Sequence, residues 1–131
     1  MDTTDPKPFV FNKNLDVGFL TELFENDMQF AATVFKDFLQ NFPQFEEEVN
    51  AAYNAQNILA LRSAFHKCKP LFGYVGFTSV QLLIQEFENK CLTVNTIAEL
   101  NGSYTLLQGI IKNAHNLIEE EFKRLQEFNG S

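Results

Sequence analysis

The sequence predicts an all-α protein, an antiparallel four-helix bundle with a short additional N-terminal helix. Apolar residues recur every three or four positions in four long segments, and no segment alternates with a period of two. The connections between these segments are short, as in bundles. With 131 residues, 45% of them hydrophobic and 15 of them Phe, the chain can fill one core. We therefore expect a single domain over residues 1–131, with an N-terminal arm at 1–13 and the bundle at 15–128.

Charge and composition argue against several kinds of protein. The net charge of −7 makes nucleic acid an improbable partner. No apolar run reaches the roughly 18 residues that span a bilayer, so no membrane association is expected. The first seven residues are polar and acidic, unlike a signal peptide. Cys68 and Cys91 fall on apolar helix faces and are expected to be reduced core thiols of a cytoplasmic protein.

The N-terminal arm lacks a helical period, but the apolar run at 9–11 predicts that it lies against the domain. Asn14 is expected to cap a short first helix from Leu15 to about Phe24. Its predicted inward residues are Leu15, Phe19, Leu20, Leu23 and Phe24.

The second helix is expected to run from about Asp27 to Asn54, with Asn26 or Asp27 as its cap. The apolar phase continues across Pro43, which favours one long, kinked helix. The alternative is a break at Phe42, with Pro43 opening a new helix. The predicted apolar stripe is Phe30, Val34, Phe38, Phe42, Phe45, Val49 and Tyr53.

The third helix follows Asn57 and continues to Tyr74 or Val75, with Gly76 suited to a left-handed position at its end. Its apolar seam is Ile58, Leu61, Phe65, Cys68 and Phe72. A second stripe, spaced four, three and four residues apart, holds Arg62, His66, Lys69 and Gly73. We expect the imidazole to project from the solvent side of the helix, with a cation one turn on.

Two more helices complete the prediction. Thr78 or Ser79 caps one that reaches about Leu92, and after a loop or single turn Ser103 opens the last, which reaches about Phe128. The inward residues of the former are Val80, Leu83, Ile84, Phe87 and Cys91. Those of the latter are Leu107, Ile110, Ile111, Ala114, Leu117, Ile118, Phe122 and Leu125.

The third helix resembles the phosphoacceptor helix of histidine-containing phosphotransfer (HPt) domains. That family has a His, a Lys three residues on, and Gly or small residues near plus four, seven and ten. The corresponding residues here are His66, Lys69, Pro70, Gly73 and Gly76, so Pro70 is the one departure. A proline inside a helix removes an amide donor and crowds the carbonyl four residues earlier, at a cost of about 3 kcal/mol. A local kink is expected just after the histidine.

The resemblance implies a phosphorelay shuttle. Nε2 of His66 would take a phosphoryl group from the aspartate of a response-regulator receiver domain and later pass it on. A hybrid histidine kinase and receiver domains would be the partners, and a monomer would be the working form. The protein would have no ATP site of its own and would need no cofactor and no metal.

The resemblance also suggests supporting residues. Lys69 is the first candidate for holding the phosphoryl oxygens, Lys67 is a weaker one, and Arg62 could assist or merely be solvated.

A polar side chain from the next helix is expected to bind the other ring nitrogen of the histidine. Glu88 is the first candidate and Gln85 the runner-up, although Glu88 could equally be a plain surface carboxylate. Gly73 and Gly76 are expected to leave room for a docking partner.

Two other functions would each require different features of the sequence. A helical adaptor that binds receivers without accepting phosphate would be favoured by Pro70. A metal or haem bundle would need inward His or Glu pairs, whereas the predicted seams are apolar. His115 is expected to be a histidine at the edge of the core.

Overall fold

The computed structural model describes residues 7–130, and this part of the chain is built from helices without any strand. The all-α prediction is confirmed. Residues 1–6 of the predicted arm and the terminal Ser131 lie outside the described residues. The helices are α1 (Val17–Phe24), α2 (Met28–Asn54), α3 (Ile58–Tyr74), α4 (Thr78–Cys91) and α5 (Asn101–Phe128), with a 3₁₀ turn at Ile97–Leu100.

Four of the helices pack in a ring, in which α2 contacts α3 and α5, and α4 contacts the same two helices. Pairs of side chains give the directions of the helices. Phe38 packs on Phe72 and Phe45 on Phe65, so α2 and α3 run in opposite directions. Phe42 stacks on His115, while the Tyr104 hydroxyl donates to Asn50 Oδ1, so α2 and α5 are also antiparallel.

Three helices begin at side-chain caps. Asp16, Asp27 and Asn57 each accept a hydrogen bond from the backbone N–H three residues on. Such caps satisfy amides that the first turn leaves without partners.

Some predicted helix starts are wrong. Asp16 rather than Asn14 caps α1, which begins at Val17 rather than Leu15. Neither Thr78 nor Ser79 is a cap, because α4 starts at Thr78 itself, after Phe77. The last helix begins at Asn101, two residues before Ser103, because the preceding 3₁₀ turn leads straight into it.

Helix α2 is continuous through Pro43, so the prediction of one long helix is confirmed and the alternative break is wrong. Its N-terminal half is rotated relative to the predicted stripe. Phe30 is 48% exposed, whereas Ala31 and Phe35 are fully buried. The reason is that Phe35 faces the ring of Phe11 in the N-terminal arm. In α4, Leu83 is likewise exposed rather than inward.

The described part of the arm packs against the end of the bundle, as its apolar residues predict. Phe9 lies edge-on to Phe128, and the Arg124 guanidinium lies 4.7 Å from the centre of the Phe9 ring. The buried Glu121 accepts the Asn12 N–H at 2.6 Å and pairs with Arg124. None of the described helices is both long and apolar enough to cross a membrane.

Candidate functional site

The second stripe of α3 lies along the seam with α4, rather than on an open solvent face. Helix α4 offers Gln81, Gln85 and Glu88, spaced four and three residues apart, which matches the spacing of the α3 stripe in the opposite direction. His66 contacts Glu88, and Lys69 contacts both Glu88 and Gln85. Gly73 lies against Gln81. The antiparallel pairing therefore gathers polar side chains at the rim of an apolar interface.

The His66 ring is anchored on one side and open on the other. Its Nδ1 lies 2.8 Å from Glu88 Oε1, and its side chain is 68% exposed, while that of Glu88 is 1% exposed. A carboxylate has only acceptors, so the bonded Nδ1 carries the hydrogen and Nε2 keeps its lone pair. Nε2 has no hydrogen-bond partner among residues 7–130.

Lys69, the cation expected one turn after His66, is held by two side chains of α4. Its Nζ lies 2.9 Å from Glu88 Oε2, and it donates a hydrogen bond to Gln85 Oε1. The contact with Glu88 is an ion pair rather than an aligned hydrogen bond. A buried carboxylate requires such a partner, because its desolvation is otherwise uncompensated. One carboxylate thus holds both the imidazole and the ammonium group.

The Lys69 contact also corrects the role expected of Gln85. This side chain was the runner-up for orienting the histidine, but it reaches the ammonium group of Lys69 instead. The other cations of α3 are placed differently. Lys67 is turned toward α2, where its Nζ lies 3.1 Å from Glu48 Oε1. Arg62 forms neither a hydrogen bond nor an ion pair with any described residue, and its Nε is buried.

The two cysteines beside this seam are buried and unpaired. Burial raises the pKa of the Cys68 thiol well above its ordinary value, and the negative charge of Glu88 raises it further. Burial also raises the pKa of Cys91, against a smaller lowering by the charge of Arg62. Both are therefore thiols at neutral pH, not nucleophiles. Across residues 7–130, no group of three or more His, Cys, Asp or Glu side chains is placed to hold a metal.

Gly73 and Gly76, which were expected to leave space for a partner, differ in their exposure to solvent. Gly76 has the predicted left-handed backbone, with φ of +74°, but it is buried. A Cβ there would lie 2.7 Å from Leu20 Cδ1, and its carbonyl accepts the Asp16 N–H at 2.7 Å. The side of Gly76 that was expected to be open is therefore filled by Leu20 of α1.

Gly73 is partly exposed beside a groove. The groove is lined by Asp16, Phe19, Lys69, Pro70, Gly73, Tyr74, Thr78 and Gln81. Pro70 forms part of its wall, within an unbroken α3.

Gln81 belongs to the site but was missed at the level of sequence. Its Nε2 donates to the Lys69 carbonyl at 3.0 Å. The signal that could have identified it is its spacing, four residues before Gln85 and seven before Glu88.

Comparison with known proteins matches the chain to a protein family. The family model described as "Hpt domain" matches residues 33–128. The matched region includes most of α2 and all of α3, α4 and α5. No curated protein and no solved structure matches the chain significantly.

Proposed function

The chain belongs to the Hpt domain family, and from this we propose that it carries a phosphoryl group on His66 between aspartates of response-regulator receiver domains. Family membership supports a histidine phosphotransfer role in phosphorelay signalling. One observation supports the assignment of His66: a buried carboxylate binds Nδ1 while the rest of the ring is exposed.

The transfer step follows from the tautomer that Glu88 selects. The Nε2 lone pair of His66 attacks the phosphorus of the receiver's aspartyl phosphate. The N–P bond forms as the bond from phosphorus to the aspartyl oxygen breaks, and the aspartate leaves as a carboxylate. No proton has to move, because Nδ1 keeps its hydrogen and the ring becomes cationic. Glu88 then faces a positive imidazolium, and a charge-assisted hydrogen bond is stronger than a neutral one.

Lys69 is suited to hold the phosphoryl oxygens. An ammonium group has three N–H donors. Gln85 accepts one from Lys69, and Glu88 pairs with its charge without an aligned hydrogen bond. Lys69 therefore has N–H donors left for a phosphoryl oxygen beside His66. Arg62 is a second cation that could neutralise the charge of the phosphoryl group. It lies one turn earlier on α3 and has no partner among the described residues. Lys67 is the weaker candidate, because Glu48 already holds it.

The remaining assignments extend this role. We propose that a hybrid histidine kinase supplies the phosphoryl group through its receiver domain, that the chain acts as a monomer in the cytoplasm, and that the helical domain is the working unit. Two unpaired cysteines are consistent with a reducing compartment. The charge of −7 disfavours nucleic acid as a partner.

The test is transfer of radiolabelled phosphate from a phosphorylated receiver domain to the purified protein. We expect label that is lost in acid and retained in base, as for a phosphohistidine. His66→Gln should abolish it. His115→Gln is the matched control, because His115 is the other histidine of the chain, stacked on Phe42, and label should persist.

Label retained by His66→Gln would refute the assignment. A wild-type protein that binds the phosphorylated receiver without acquiring label would instead be the non-catalytic adaptor.

A further inference from the structure

Gln81 and Gly73 interlock at the seam between α3 and α4. The Gln81 amide Nε2 donates to the backbone carbonyl of Lys69 at 3.0 Å. A Cβ placed on Gly73 would lie 2.5 Å from this Nε2, 3.1 Å from Cδ and 3.3 Å from Oε1 of Gln81. The amide, with its Nε2 nearest, therefore occupies the space that a side chain at position 73 would need. Any other residue at position 73 would displace it.

The hydrogen bond from Gln81 to the Lys69 carbonyl lies where α3 lacks one of its own backbone hydrogen bonds. Pro70 has no N–H, so the carbonyl of His66 lacks its normal partner in the helix. Lys69 directly precedes Pro70, and the hydrogen bond from Gln81 connects the Lys69 carbonyl to α4. Because Gln85 and Glu88 already hold the Lys69 ammonium group, this residue is fixed to α4 at both ends. These contacts hold the turn from His66 to Lys69 against α4, next to Pro70.

We propose that Gln81 and Gly73 act as a positioning pair for the phosphoacceptor turn. Gln81 acts through the backbone of Lys69 and does not touch the phosphoryl group. Gly73 is a glycine because the amide of Gln81 occupies the space of its side chain, not because a docking partner needs that space. This inference rests on the proposed function, since it concerns the rate of transfer to His66.

The experiment is a single-turnover transfer from phosphorylated receiver, measured over a range of receiver concentrations. The limiting rate reports positioning, and the half-saturating concentration reports docking. The variants are Gln81→Ala, Gln81→Glu, Gly73→Ala and the double variant Gly73→Ala/Gln81→Ala. Gln81→Glu keeps the shape but removes the donor. Glu86→Ala is the matched control, because Glu86 is an exposed residue of the same helix that lines the groove toward α5.

Loss of one neutral hydrogen bond corresponds to a roughly three- to tenfold lower limiting rate. We expect this decrease in the limiting rate for both Gln81 variants and for Gly73→Ala. Their half-saturating receiver concentrations should change by less than about twofold. The double variant should be no slower than Gln81→Ala, because the methyl group at position 73 then meets no amide. Glu86→Ala should match the wild type.

Three outcomes would overturn the pairing. In the first, Gly73→Ala raises the half-saturating concentration and leaves the limiting rate unchanged. In the second, the rate effects of the two substitutions multiply in the double variant. In the third, Gln81→Glu transfers as fast as the wild type. If Gly73→Ala does not fold, the two Gln81 variants against Glu86→Ala decide the question alone. A wild-type protein that takes no label at all refutes the proposed function instead.

Discussion

Replacing Lys69 should destabilise the fold more than neutralising Glu88, although the two form one ion pair. The Glu88 side chain is 1% exposed and that of Lys69 is 20% exposed. Lys69→Met leaves a buried carboxylate with its Oε2 unpaired, and breaking a buried pair in this way costs about 3–5 kcal/mol. We take the lower end, about 3 kcal/mol, because the His66 N–H still binds Oε1. Glu88→Gln instead frees an ammonium group that can turn toward water, so its cost should be below about 1 kcal/mol.

Urea unfolding followed by circular dichroism at neutral pH measures both changes. With a slope of about 2 kcal/mol per molar urea, the midpoint of Lys69→Met should fall by about 1.5 M. The double variant Glu88→Gln/Lys69→Met should recover most of this loss, because it no longer contains a buried charge. Lys67→Met is the matched control, since Lys67 pairs with Glu48 at the surface and should change the midpoint little.

The reasoning would be refuted if Lys69→Met and Glu88→Gln lowered the midpoint equally, or if the double variant were no more stable than Lys69→Met. Either result would mean that the carboxylate is not the costly member of the pair.

Three further predictions concern the core. Burial raises the pKa of Cys68 and Cys91 in the folded chain, so their contribution to stability is complete below the unfolded thiol pKa of about 8.5 and is lost as pH rises above it. The urea midpoint should fall between about pH 8 and pH 10, and by less in Cys68→Ala/Cys91→Ala; an equal fall in both would contradict this. Gly76→Ala should lower the free energy of unfolding by about 2–4 kcal/mol, because of the left-handed backbone and the overlap with Leu20. A loss below about 1 kcal/mol in urea unfolding would contradict this, since it would mean that α1 shifts to make room for the methyl group. Phe11→Ala should cost about 3 kcal/mol, because this ring is 3% exposed between Phe24 and Phe35; an unchanged thermal midpoint would mean that the arm does not stabilise the bundle.

The periodicity of the chain was sufficient to predict the helices, and the family resemblance rested on the residues at set spacings from His66 on the third helix. A helix brings residues three and four apart onto one face, so the stripe of His66 and Lys69 could be recognised without coordinates. The same rule predicted the long α2 across Pro43, and the preference of glycine for the end of a helix predicted the left-handed Gly76. Helix starts were predicted less well, because Asn14 and Asp16 are both good caps and the choice depends on where α1 meets the bundle.

Only the tertiary structure decided how α3 and α4 are offset along their seam. An axial shift of one helical turn, about 5.4 Å, would exchange the partners of His66 and Lys69 on α4, and nothing in either helix alone sets that shift. Packing of the apolar seams and the closed turn at Gly76, filled by Leu20, fix it. Glu88 therefore meets the imidazole, Gln85 meets the ammonium group, and Gln81 reaches a backbone carbonyl. Contacts between helices depend on this offset, whereas the stripe on each helix depends only on its own sequence.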